Sequence, residues 1–148
     1  MSTLFDAGDR AAIHQRLDRL RPELRAQWGR MNAPQMVCHI ADQLRVALGD
    51  LSAEAKPIFL RNRLLRQIFV YWLPWPKGKV PTAREMLTSK PESWETDVAA
   101  VHGLVDRFET RGPGGEWAVH PAFGPLSGRE WGVLCQKHLD HHLRQFGV

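Results

Sequence analysis

The sequence predicts an all-α protein, a small helical bundle, and three observations support this. Apolar residues recur at three- and four-residue intervals in several segments, and capping or breaking residues bound those segments. The third is length: 148 residues fit one domain, taken as 1–148, that can bury a core without disulfides or a structural metal.

In the first segment, about Asp6 to Leu24, Ile13, Leu17, Leu20 and Leu24 form an apolar stripe with arginines between them. After the Trp28-Gly29-Arg30 break, Asn32 is placed to cap a second helix, and Pro34 is tolerated in its first turn. That helix runs to about Leu48 and stops at Gly49, with Met36, His39 or Ile40, Gln43 and Ala47 facing inward. A third helix, about Pro57 to Leu73, ends where Pro74 and Pro76 deny it donors. From there to Pro91 no periodicity survives, so the connection containing PWPKGKVPTAREM is a candidate lid or an inert crossover.

Trp94, Val98, Val101, Val105 and Phe108 support a fourth helix, about Pro91 to Glu109, which Arg111-Gly112-Pro113-Gly114-Gly115 ends. The final helix begins at Ser127, whose S-x-x-E pattern with Glu130 is a capping box, and runs to about Phe146. Its inward stripe is Trp131, Leu134 or Cys135, His138, His142 and Gln145.

Composition narrows the function classes. The opening MSTLFDAGDR has no signal-like apolar stretch, and the longest apolar run, Ile68 to Leu73, is too short to cross a bilayer. A cytoplasmic protein with no membrane partner is expected. Cys38 and Cys135 are the only cysteines and read as reduced thiols. A net charge of +4 is spread along several segments, and Arg61, Arg63 and Arg66 read as the solvated side of the third helix rather than a nucleic-acid footprint.

The chemistry sits on histidines. His138 and His142 are spaced i, i+4, which sets both imidazoles on one helical face within reach of one ion. His39 lies on the core-facing stripe of another helix, where an unpartnered ring would cost roughly 1 to 3 kcal/mol. One shared metal satisfies a nitrogen from each ring and leaves the other nitrogens for acceptors behind them.

HLDHHLRQ at His138 to Gln145, MVCHIADQL around His39, WGRMNAPQM before it and HPAFGPLSGREWG together resemble the DinB-like superfamily, in its branch known as domain of unknown function 1569. The resemblance covers nearly the whole chain. It implies a DinB-like four-helix bundle with a long crossover connection, and a divalent metal held by His39, His138 and His142. Better-known relatives use such a site for thiol-dependent transfer or isomerisation with a low-molecular-weight thiol, and related bundles often pair as homodimers. The expectation is a metal-dependent enzyme, of transferase or hydrolase type, acting on a small molecule with zinc, nickel, iron or manganese. The alternative is a non-catalytic metal-binding module, a sensor or sequestering protein. Three protein ligands leave a coordination position open, whereas structural zinc sites usually have four.

Several neighbours have two readings. His120, in an irregular loop seven residues before Ser127, can span up to about 23 Å and fold back as catalytic acid, base or fourth ligand, or it can anchor the loop. His141 competes with His142 at i, i+3, and Cys135 is a soft ligand or a packed thiol. Cys38 is rotated about 100° from His39 and reads as structural. Asp42 either orients a ligand or is a solvated surface carboxylate; His14 and His102 read as ordinary surface or packing residues. Trp28, Trp94 and Trp131 read as core, Trp72 and Trp75 as walls of an apolar cleft.

Overall fold

The computed structural model describes residues 1–54, 62–73 and 89–148. Among the described residues, five α-helices and one two-stranded hairpin follow in the order α1 (Ala7–Leu17), α2 (Ala33–Leu48), α3 (Arg63–Gln67), α4 (Trp94–Arg111), β1 (Val119–His120), β2 (Gly124–Pro125) and α5 (Gly128–Gln145). Residues 57–61 of the expected third helix, and 74–88 with Trp75 in the candidate lid, lie outside the described residues.

Of the four long helices, α1, α2 and α5 start at a side-chain cap, whereas Ser93 before α4 makes no capping hydrogen bond. Asp6 accepts from the Asp9 amide at α1. At α2, Asn32 Oδ1 accepts from the Gln35 amide while Gln35 Oε1 accepts from the Asn32 amide. Ser127 and Glu130 close the expected box at α5. Such a cap contributes about 1 kcal/mol by satisfying amides that have no carbonyl within the helix. Gly49 ends α2 at φ 78°, a left-handed conformation that glycine adopts without steric cost.

Two helices differ from the periodicity. α1 stops at Leu17, not Leu24, because Pro22 offers no amide and pushes Arg21 out of the helical region. The Arg21 guanidinium takes the Asp18 and Leu20 carbonyls instead, and Leu20 still reaches the core. α3 passes into a π-helical turn over Ile68–Trp72. Lys137 on α5 donates to the Phe69 and Val70 carbonyls in that turn, and Arg66 pairs with Glu130, so the segment is docked along α5.

α2 and α1 each pack against both α4 and α5. α2 is buried along nearly its whole length, which makes any polar side chain on it a core residue. Trp131, Phe108, Ile13, Leu17, Met36, Ile40, Leu44 and Leu139 fill the space between these helices. The hairpin pairs His120 with Gly124 in what reads from sequence as an irregular loop. It is tied down by Trp131 Nε1, which donates to the Ala118 carbonyl, and by the Ala118 amide, which donates to the Ala47 carbonyl. Trp131 is fully buried as expected, whereas Trp28 and Trp94 are half-buried and Trp72 is 79% exposed. Among the described residues no helix is long and apolar enough to cross a membrane.

Candidate metal centre

His39 comes from the middle of α2, His138 and His142 from successive turns of α5, and the packing of those two helices brings the three rings together. His138 Nε2 lies 3.1 Å from His39 Nε2 and 3.2 Å from His142 Nε2. One ligand nitrogen from each ring lies within 4.8 Å of the others, and all three residues are buried. Ring planes cross at 70° to 81°, so the imidazoles converge edge-on rather than stacking.

The orientation of His142 is set from behind. Its Nδ1 lies 2.8 Å from Gln145 Oε1, which can only accept, so the ring proton sits on Nδ1 and Nε2 keeps its lone pair. The Gln145 amide is itself fixed, because its Nε2 donates to the Trp28 carbonyl at 2.6 Å and its backbone carbonyl accepts from the Gln27 amide. Gly29 makes room for this: its φ is 83°, and a Cβ there would stand 2.5 Å from Gln145 Nε2. The Trp28-Gly29 break is therefore part of the site's support. Sequence reading placed Gln145 on the inward stripe without a role; its i, i+3 spacing from His142 was the available signal.

Electrostatics favour neutral rings. Burial pulls His142 down to about 3, with neighbouring His39 adding to the shift and the Gln145 hydrogen bond opposing it. His138 is held well below the usual histidine range, first by burial and then by His142 and His39. Neutral imidazole is the form that binds a metal.

The remaining candidates fall elsewhere. His120 does not join the three-ring group; its Nδ1 accepts from the Ala122 and Phe123 amides at 3.0 and 3.1 Å, which anchors the hairpin and leaves an Nε2–H donor. Burial lowers it to about 3, and it packs against Trp131. Cys135 is fully buried and accepts from Gln43 Nε2 at 3.2 Å, with its thiol pushed up by burial. Cys38 is also a buried thiol, pushed up to about 11 by burial and then by Asp97 and Asp42. His141 is half-buried, against Trp28 and the edge of His142. Asp42 is not a surface carboxylate: it is 1% exposed and accepts from Arg45, from the Ser89 amide and from the Ser89 hydroxyl. The near-complete burial of α2 removes any solvated face on which Asp42 could lie.

No curated protein and no solved structure matches the chain. A family model described as a protein of unknown function, DUF1569, matches residues 1–147. That match takes in α2 and α5, and with them all three converging histidines, so the chain belongs to the DUF1569 family.

Proposed function

We propose that this protein binds one divalent metal ion through His39, His138 and His142 and uses it in a reaction on a small molecule. The observation that carries this reading is the convergence of three buried Nε2 atoms from two helices, one of them oriented by Gln145. Neutral imidazole nitrogens from two helices that meet at one buried point form the donor set that a divalent ion takes. The mutual packing of α1, α2, α4 and α5, each against two of the others, supports a DinB-like four-helix bundle as the frame.

Among the described residues no fourth His, Cys, Asp or Glu joins the group, and three ligands are the number typical of catalytic rather than structural zinc sites. A divalent ion held there supplies Lewis acidity to whatever takes the remaining position, a water, a thiol or a carbonyl oxygen. The chain's own residues do the rest: Gln145 keeps the His142 lone pair pointed inward, and the burial of all three rings keeps water from them. His120, with Nδ1 committed to two amides, enters as a hydrogen-bond donor through Nε2 rather than as a base.

One observation favours a second reading, a metal-binding module without turnover: the three residues are only 3 to 6% exposed, which leaves little room for a substrate to approach. Cobalt substitution separates the two. If small thiols or carboxylates change the visible ligand-field spectrum, an open position exists and the enzyme reading stands. A spectrum that no such ligand alters assigns the protein to binding alone.

A further inference from the structure

A second cluster of titratable groups lies away from the triad, where α1 faces α4. His14 and Asp18 stand four residues apart at the end of α1, and His102 and Asp106 repeat that spacing on α4. His14 Nε2 lies 2.9 Å from Asp106 Oδ1, and His102 Nε2 lies 3.3 Å from Asp18 Oδ1. Each helix thus supplies the carboxylate for the other's imidazole. The two Nδ1 atoms meet 2.6 Å apart. The ring planes agree within 6° while their centroids are 4.9 Å apart, so the rings lie edge to edge with nitrogen aimed at nitrogen.

A carboxylate only accepts, so it holds each ring proton at Nε2 and leaves both Nδ1 atoms as acceptors. Two lone pairs do not face each other at that distance without a proton or a metal ion between them. An imidazole whose far N–H is held by a carboxylate is also the arrangement that orients metal-binding histidines. We propose that His14 and His102 form a second metal seat, for a late first-row divalent ion such as Zn2+, Ni2+ or Cu2+, with Asp106 and Asp18 positioning the rings and water completing the shell.

Metal–nitrogen bonds of roughly 2.0 to 2.1 Å at angles between square and tetrahedral set two ligand nitrogens about 2.9 to 3.4 Å apart, so the pair must part by several tenths of an ångström from its 2.6 Å spacing and turn off the line that joins it. Both side chains are 25% exposed and can turn to allow it. Imidazole suits all three ions, and nitrogen donors favour copper most. With two protein ligands instead of three, this seat is the weaker one and fills only with metal in excess. An ion bound there would clamp α1 to α4.

The test is a Ni2+ or Cu2+ titration of the full chain, with bound metal counted by elemental analysis after equilibrium dialysis. The wild type should take up two ions, one tight and one weak. His14→Ala and His102→Ala should lose the weak ion and keep the tight one, with unchanged helical circular dichroism. His142→Ala should do the reverse, so that failure at the triad is told apart from failure here. Asp18→Asn combined with Asp106→Asn should weaken the second ion by roughly tenfold, the lower end of the effect of such supporting carboxylates. A weak ion that survives in a His14→Ala, His102→Ala double variant overturns the proposal. So does a wild type that takes up one ion at excess metal and loses it in His142→Ala, because a proton then bridges the His14–His102 pair.

Discussion

The Gln145 side-chain carbonyl lies 2.8 Å from His142 Nδ1, and that single contact decides which nitrogen of a buried histidine is free to bind. Losing it frees the ring to change tautomer and turn. Gln145→Ala is expected to weaken metal binding by roughly 10- to 100-fold, the range seen for residues that orient metal ligands. Gln145→Glu, which keeps the acceptor, should retain more affinity than the alanine variant. Competition with a chromophoric chelator measures both, and equal affinities in the two variants would contradict the role.

Gly29 supports the same contact from the other side. Gly29→Ala must place a side chain at φ 83° and a Cβ 2.5 Å from Gln145 Nε2. The backbone strain alone is expected to cost about 1 kcal/mol or more in urea unfolding. Metal affinity should also fall, and in a Gln145→Ala background the affinity effect of Gly29→Ala should largely disappear, because the two act through one contact. Additive losses of affinity would show that Gly29 acts otherwise.

The buried histidines make the metal-free fold acid-sensitive over a defined range. His120 and His142 are both lowered from 6.5 to about 3 by burial. Below pH 6.5 the unfolded chain takes up protons that the folded chain refuses, so stability is fully present above that pH and falls progressively toward pH 3. Each such histidine contributes a slope of up to about 1.4 kcal/mol per pH unit within that range. Urea titrations of metal-free protein from pH 7 to 4 should show this decline. His120→Asn, which keeps an acceptor for the Ala122 and Phe123 amides, should reduce the slope by up to one proton's worth. An unchanged slope would remove His120 from the set.

What was legible in the sequence was local or periodic. Asn32, Gly49 and Ser127 announce helix ends because capping is a short-range interaction. His138 and His142 share a face because the helix repeat puts them there, and the stripe on α2 brings His39 inward. The rest depends on contacts distant in sequence. The His120–Gly124 ladder is too short to leave a period, and the burial of Asp42 follows from Ser89 arriving 47 residues later. The His14–His102 pair needs α1 and α4 to meet across 88 residues, which no local pattern signals. The early stop of α1 was within reach, since Pro22 stands inside the expected helix, but Leu20 and Leu24 preserve the apolar spacing after the backbone has left it.

The most direct test of the metal centre is the ion content of His39→Ala, His138→Ala and His142→Ala, each made in a His102→Ala background so that the second seat cannot contribute. Proteins purified without chelator and dialysed are analysed for zinc, nickel, iron and manganese, with circular dichroism as the control for folding. The parent should hold close to one ion per chain, and each triad variant should be helical and nearly metal-free. A variant set that stays folded and still retains one tightly bound ion would contradict the assignment of His39, His138 and His142.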